Sequence, residues 1–186
     1  MATKVKFEIK GLDNVMRNLD DVAEQIGDKK ATSKILVPAL REAMKPALQA
    51  IRVEAPKDTG ALAAHLWIEA RRPNKRDKRS LYVRTGDKAI ALVTTKAFPK
   101  KKKKEWMAEN AHLTGKERAA AFKKHALSTG FPYDARAIAQ EFGSARNPAQ
   151  PFMRTGMAAA SSTVLANLGN ILQYRIENYK MRYLGY

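Results

Sequence analysis

Residues 55–71 read APKDTGALAAHLWIEAR, and this stretch decides the fold. Ala55-Pro56-Lys57-Asp58-Thr59-Gly60 is a turn-rich stop, because Pro56 cannot continue a helix and Gly60 accepts dihedrals that a Cβ forbids. Beyond it Leu62, Ala64, Leu66, Ile68 and Ala70 alternate with His65, Trp67, Glu69 and Arg71, the period-two pattern of a half-buried strand. A helical layer ends here and a sheet begins.

Upstream the periodicity is helical. Leu36, Leu40, Ala43, Ala47, Leu48 and Ile51 form one apolar stripe over residues 34–54. Pro46 removes a backbone hydrogen bond and clashes with the preceding turn, which predicts a kink there; Pro38 fits a first turn, where a missing N–H costs little. Before this helix Leu12, Val15, Leu19, Val22 and Ile26 mark a shorter amphipathic one, closed by Gly27. Lys4 to Lys10 alternate polar and apolar residues around Val5, Phe7 and Ile9, which predicts a first strand ended by Gly11.

Downstream, residues 80–85 and 89–95 are β-rich runs flanking Gly86-Asp87-Lys88, which predicts a hairpin and, with residues 62–70, an antiparallel meander. Two basic segments interrupt it, residues 71–79 and the run Lys100 to Lys104, and both are expected to be mobile loops. Residues 105–125 offer Trp106, Ala119, Ala120 and Phe122 to an intervening helix that Gly115 weakens. Leu165, Leu168, Leu172, Ile176 and Tyr179 give the apolar face of a C-terminal helix over about residues 151–180. The expected fold is α+β: a small, mostly antiparallel sheet packed against a long kinked helix and a long C-terminal helix. A single domain over residues 1–186 is expected, with a basic loop or insertion at about 99–130.

Composition narrows the function. The chain carries 35 Lys and Arg against 18 Asp and Glu, a formal charge of +17, which favours a polyanionic partner or a highly charged assembly. It has no cysteine, so disulfides and thiolate metal sites are excluded. No apolar run is long enough for a membrane span, and the N-terminus lacks the apolar core of a secretory signal, so a soluble protein made in the cytoplasm is expected. His65, His112 and His125 are not paired at ligand spacing, and Asp20-Asp21 is the one candidate acid pair, on a helix surface. No phosphate loop or nucleophile elbow appears. No enzyme activity, catalytic residue, metal or cofactor is expected. The candidates for contact with nucleic acid or an acidic partner are Arg71, Arg72, Lys75, Arg76, Lys78 and Arg79 in one segment and Lys100, Lys101, Lys102, Lys103 and Lys104 in the other. Lysine is a point charge without a fixed fork, so such contacts read backbone and ignore sequence. Trp106 beside the run suits stacking on a base or, more simply, the first buried position of a helix.

Three short motifs, in order, resemble a known family. They are Ile9-Lys10-Gly11-Leu12-Asp13, then Pro56 with Thr59-Gly60 and Leu62, then Glu141-Phe142-Gly143-Ser144 followed by Pro151-Phe152-Met153-Arg154. Their order and spacing are similar to those of the tailed-phage tail-component proteins like gene product ten of the lambdoid phage Hong Kong 97. The motif positions read as folding positions: Gly60 redirects the chain, Glu141-Phe142-Gly143 sets a buried ring beside a permissive residue, and Pro151-Phe152 starts a helix over an aromatic anchor. Thr155-Gly156 departs from the family, which tends to have proline and a small residue there, and residues 100–129 look like an insertion.

The resemblance implies a structural virion protein at the head–tail junction, a neck or tail-completion subunit forming a homo-oligomeric ring around the DNA path, with six copies as an illustration. Its implied neighbours are phage connector, tail terminator or tail tube proteins, with sequence-independent contact with phage DNA and no membrane. The alternative reading is a free sequence-nonspecific nucleic-acid-binding protein, histone-like or ribosome-associated.

Overall fold

Leucine, alanine, lysine and arginine, all good helix formers, dominate the chain outside its Pro- and Gly-marked breaks. In the computed structural model, which describes residues 12–57, 60–80, 83–96, 98–129, 134–145 and 148–185, most of the described residues are helical. The fold is α+β, with a two-stranded antiparallel sheet, a bent long helix and a long C-terminal helix. The proposed first strand at Lys4 to Lys10 lies outside the described residues.

Helix α1 spans Leu12–Ile26 and buries Val15, Leu19 and Val22 at the expected spacing. Gly27, at φ +86°, turns the chain into α2, Asp28–Ala31. A single wide π turn, Thr32–Leu36, leads to α3, Val37–Ala43, with Pro38 at its start. The proline lacks the N–H that would bond back to Lys34, and the wider turn preceding it absorbs that missing rung. Met44 then breaks the helix, and α4, Lys45–Glu54, restarts with Pro46 in its first turn. The kink therefore falls where Pro46 required it.

The stretch from Gly60 to Arg71 divides in two. Gly60, at φ +66°, starts a short helix α5, Ala61–His65, and only Leu66–Arg71 form strand β1. The alternation seen at Leu62 and Ala64 is overridden by the helix propensity of an Ala-Leu-Ala-Ala run; at Leu66, Ile68 and Ala70 it holds, and all three are buried. Strand β2 is Ile90–Thr95. The Lys96 N–H donates to the His65 carbonyl at 2.8 Å, joining the end of β2 to the start of β1 as an antiparallel pair requires. The expected hairpin over 80–85 is not formed among the described residues: Val83 to Lys88 contain no strand, and the Arg84 N–H donates instead to the Asp87 carboxylate at 2.8 Å, closing a turn. Leu81 and Tyr82 lie outside the described residues.

The remaining helices are α6, Lys100–Glu109, α7, Gly115–Ser128, α8, Asp134–Phe142, and α9, Phe152–Tyr183. Two compact units result: residues 1–48, 68–92 and 159–186 in the first, 49–67 and 93–158 in the second. Strands β1 and β2 and helices α4 and α9 run from one unit into the other.

In the first unit α1, the 28–43 helical run and the C-terminal half of α9 share a core of Leu19, Val22, Ile35, Ala39, Leu172 and Ile176. The Arg41 guanidinium donates to the Ala70 carbonyl at 3.3 Å, tying α3 to β1. In the second unit the Arg52 guanidinium donates to the Leu66 carbonyl at 2.9 Å. Among the described residues no helix is long and apolar enough to cross a membrane.

Candidate functional site

The first basic segment is tied down by its own side chains, so it is not the mobile loop its charge suggested. Arg71 ends β1; its Nε donates to Glu69 at 2.5 Å, and its two terminal nitrogens both bond the Asp77 carboxylate, one of them at 3.0 Å. Asp77 also accepts the Asn74 N–H at 2.7 Å, while the Asn74 side chain accepts the N–H groups of Arg76 and Asp77 at 2.8 and 3.0 Å. Bonding to Arg71, reinforced by the Asn74 N–H, holds the Asp77 carboxyl at about 2, below its ordinary 3.8. The same contacts with Asp77 and then Glu69 push Arg71 upward. Arg71 is thus committed within the loop, whereas Arg72, Lys75, Arg76, Lys78 and Arg79 are exposed and point their charge at solvent.

The second basic segment is helical rather than a loop. Pro99 precedes α6 and its carbonyl accepts the Lys103 N–H at 2.9 Å, so the five lysines occupy the first turns of the helix. Pro99 sets the start and lysine has good helix propensity, which outweighs the repulsion within the run. All five are exposed. They lie at the positive end of the helix macrodipole, where cations are disfavoured, and they repel one another at i,i+3 and i,i+4 spacing. Among the described residues Lys101 approaches Glu105 only at 4.0 Å, and Lys103 sits 5.1 Å above the Phe122 ring. A bound polyanion would relieve both penalties.

Behind this cationic turn α6 and α7 are joined by an aromatic cluster. Trp106 meets Phe122 edge-on at 5.2 Å and stacks on His125 at 5.6 Å, and Phe98 meets Phe122 at 5.2 Å. Trp106 therefore packs against α7, but as a half-buried residue seven positions into α6 rather than as the first buried position of a helix, since α6 buries no residue fully. His125, expected to be an ordinary solvated histidine among lysines, is instead half-buried in the cluster. Gly115, at φ +49°, starts α7 and separates it from α6, so residues 105–125 form parts of two helices.

The C-terminal motif of the resemblance forms one connected assembly. Glu141, 4% exposed at the end of α8, accepts the N–H groups of Met153 and Arg154 at 2.8 and 3.2 Å, capping the first turn of α9 from outside that helix. The Arg154 side chain donates to the same carboxylate at 2.8 Å and to the Glu141 carbonyl at 2.8 Å. Gly143, at φ +81°, lets the connection fold back; a Cβ there would meet the Ala149 nitrogen at 3.0 Å. The Gln150 N–H then returns to the Gln140 carbonyl at 2.6 Å.

Phe152 is the buried anchor that the motif predicted, at 3% exposure. Phe142 is not the buried ring expected: it is 67% exposed, with the Arg154 guanidinium 5.1 Å above it. Here α8 turns Glu141 inward, and the adjacent position necessarily faces elsewhere on the helix. Pro151 is exposed and directly precedes α9.

The departure at Thr155-Gly156 has a packing reason. A Cβ at Gly156 would lie 2.6 Å from the backbone of Ile51, so α9 passes α4 where only glycine fits. Of the other motif residues, Pro56 and Leu62 are half-buried, Gly60 is exposed, and Thr59 lies outside the described residues.

Two concavities were not foreseen. One, of about 340 Å³ in the second unit, is bordered by Val93, Ile138, Phe142 and Met153. The other, of about 380 Å³ in the first unit, lies between residues Lys34 and Glu42 and two ridges of α9, Tyr174-Asn178-Arg182 and Arg175-Tyr179-Tyr183. The i,i+4,i+8 spacing of those six residues was the available signal. Among the described residues no group of three or more His, Asp or Glu could hold a metal ion. Compared with known proteins, the chain matches no family model, no curated protein and no solved structure.

Proposed function

We propose that this chain is a structural subunit of a tailed bacteriophage, a head–tail junction (neck) or tail-completion protein that assembles into a ring at the proximal end of the tail around the DNA path. The observation that carries the reading is the coupling of the two halves of the C-terminal motif, where the Glu141 carboxylate caps the helix begun by Pro151-Phe152. A motif whose two halves are joined by partly buried hydrogen bonds is a folding unit, which supports a resemblance spread over the chain. The +17 charge supports the same reading. In a six-copy ring the exposed lysines of α6 would create a strong local field, screened beyond about 8 Å at physiological salt. Such contacts are weak and sequence-blind, which suits a polymer in passage. Neighbouring connector, terminator or tube proteins would meet the remaining surfaces, and the protein would reside in the virion.

Native mass spectrometry and negative-stain imaging of the purified protein test this. A closed ring, alone or with a phage neighbour, is the expected result; a monomer under every condition together with tight duplex binding would replace the proposal with the second reading. That reading, a free sequence-nonspecific nucleic-acid-binding protein, is favoured by the five exposed lysines crowded at the start of α6.

A further inference from the structure

The cleft at the C-terminal end of α9 has features that the assembly reading does not use. Tyr174 and Tyr183 are 68% and 69% exposed, unusual for aromatic side chains on a helix whose neighbouring Leu172 and Ile176 are buried. Tyr183 leans on Tyr179 at 4.7 Å through one face, which fixes its ring and leaves the other side open. Around these rings stand three cations, Lys34, Arg175 and Arg182, against one carboxylate, Glu42. Glu42 is already engaged by an Arg175 terminal nitrogen at 2.6 Å. Among the described residues Lys34 and Arg182 have no ion-pair partner, and the Arg175 Nε is buried without an acceptor. The Nε is closed to solvent, so an anion entering the cleft would meet Arg175 through its terminal nitrogens, one of which already bonds Glu42.

Aromatic faces held beside unpaired cations are the two elements of a single-strand binding platform: rings stack on bases of any identity, and cations track the phosphates. Duplex DNA hides its base faces and cannot use the tyrosines. The cavity of about 380 Å³ lies at the small end of ligand sites and suits one or two nucleotides at a time. We infer that this cleft binds single-stranded nucleic acid, with Tyr174 and Tyr183 stacking on bases and Lys34, Arg175 and Arg182 meeting the phosphates. The inference stands apart from ring assembly, and a monomer would serve as well as a ring.

Fluorescence anisotropy with a labelled twelve-residue oligothymidylate and the full chain tests it, with a duplex of the same length as comparison. Replacing the tyrosines together, Tyr174→Ala with Tyr183→Ala, should weaken oligothymidylate binding by about tenfold or more, the usual effect of losing base stacking. Duplex binding should change less than about twofold, because the α6 lysines remain. Tyr174→Phe with Tyr183→Phe should retain oligothymidylate affinity, since stacking needs the ring and not the hydroxyl. Arg182→Glu, a single exposed change, should weaken it as well and serves if the alanine pair fails to fold. An unmodified chain that does not bind oligothymidylate overturns the inference. So does an alanine pair that binds it unchanged, or a loss shared equally by the duplex.

Discussion

Glu141→Ala is the most informative single change in the second unit. The carboxylate is 4% exposed and accepts two backbone N–H groups at the start of a 32-residue helix. Loss of a helix cap costs about 0.5–2 kcal/mol, and leaving a buried donor without a partner costs about 1–3 kcal/mol. These overlap, so a loss of about 1–3 kcal/mol is expected. The Arg154 side chain should contribute little of it: that partner is 61% exposed, and ion pairs at such sites are worth about 0–1 kcal/mol. Arg154→Ala should therefore cost less than about 1 kcal/mol, and Glu141→Gln, which keeps one acceptor oxygen but places an amide against the second N–H, should fall between. Urea unfolding followed by circular dichroism measures all three. With a slope near 3 kcal/mol per molar, at the upper end for small proteins, the alanine variant should lower the midpoint by about 0.3–1 M. A Glu141→Ala protein within about 0.5 kcal/mol of the parent, or an Arg154→Ala loss as large as that of Glu141→Ala, would refute the capping argument.

Two glycines of α9 should respond in opposite directions. Gly156→Ala places a methyl 2.6 Å from the Ile51 backbone and should destabilise by about 1–3 kcal/mol as the helices part, whereas Gly169→Ala meets nothing within 4 Å and should stabilise by up to about 1 kcal/mol; thermal melts of the two report both signs. Asp77 titrates at about 2 when folded, below its ordinary 3.8, so the stability it contributes is present above the ordinary value and lost as pH falls through the lower one. Asp77→Asn should flatten that part of the acid unfolding curve followed by circular dichroism. Replacing Lys100 to Lys104 by glutamine removes five charges, and if each meets a phosphate the logarithmic salt slope of duplex binding should fall by about 4–5; a slope that does not change would place the duplex contact elsewhere.

Helices built on a dense apolar stripe were legible. Val15, Leu19 and Val22 on α1, and Leu172 and Ile176 on α9, occupy the buried positions their spacing indicated, because one face of each must meet a core. The break at Met44-Lys45 followed from the chemistry of Pro46. Elements decided by propensity against pattern were misread. Ala61 to His65 alternate as a strand would yet form a helix, and the lysine run reads as a solvated loop yet forms the start of α6. Neither choice is visible to a count of apolar positions, since alanine and lysine favour helix without burying a face.

Of the candidate site, the exposure of both basic segments was legible from charge, but the internal bonding of Arg71 was not, since it requires Asp77 to fold back six residues away. The Glu141 clamp was equally hidden: its two ends are twelve residues apart and joined only by the reversal at Gly143. The tyrosine and arginine ridges of α9 show in the sequence as a period of four, but in residues that bury no face, so the apolar periodicity that marks a core does not reveal them.

Quantitative mass spectrometry of tailed-phage particles purified from cells that carry the gene tests the proposed role most directly. A structural ring requires the chain in every particle at a small fixed copy number, in step with the neck and tail proteins beside it. Finding it in infected cells but missing from finished particles would contradict the account.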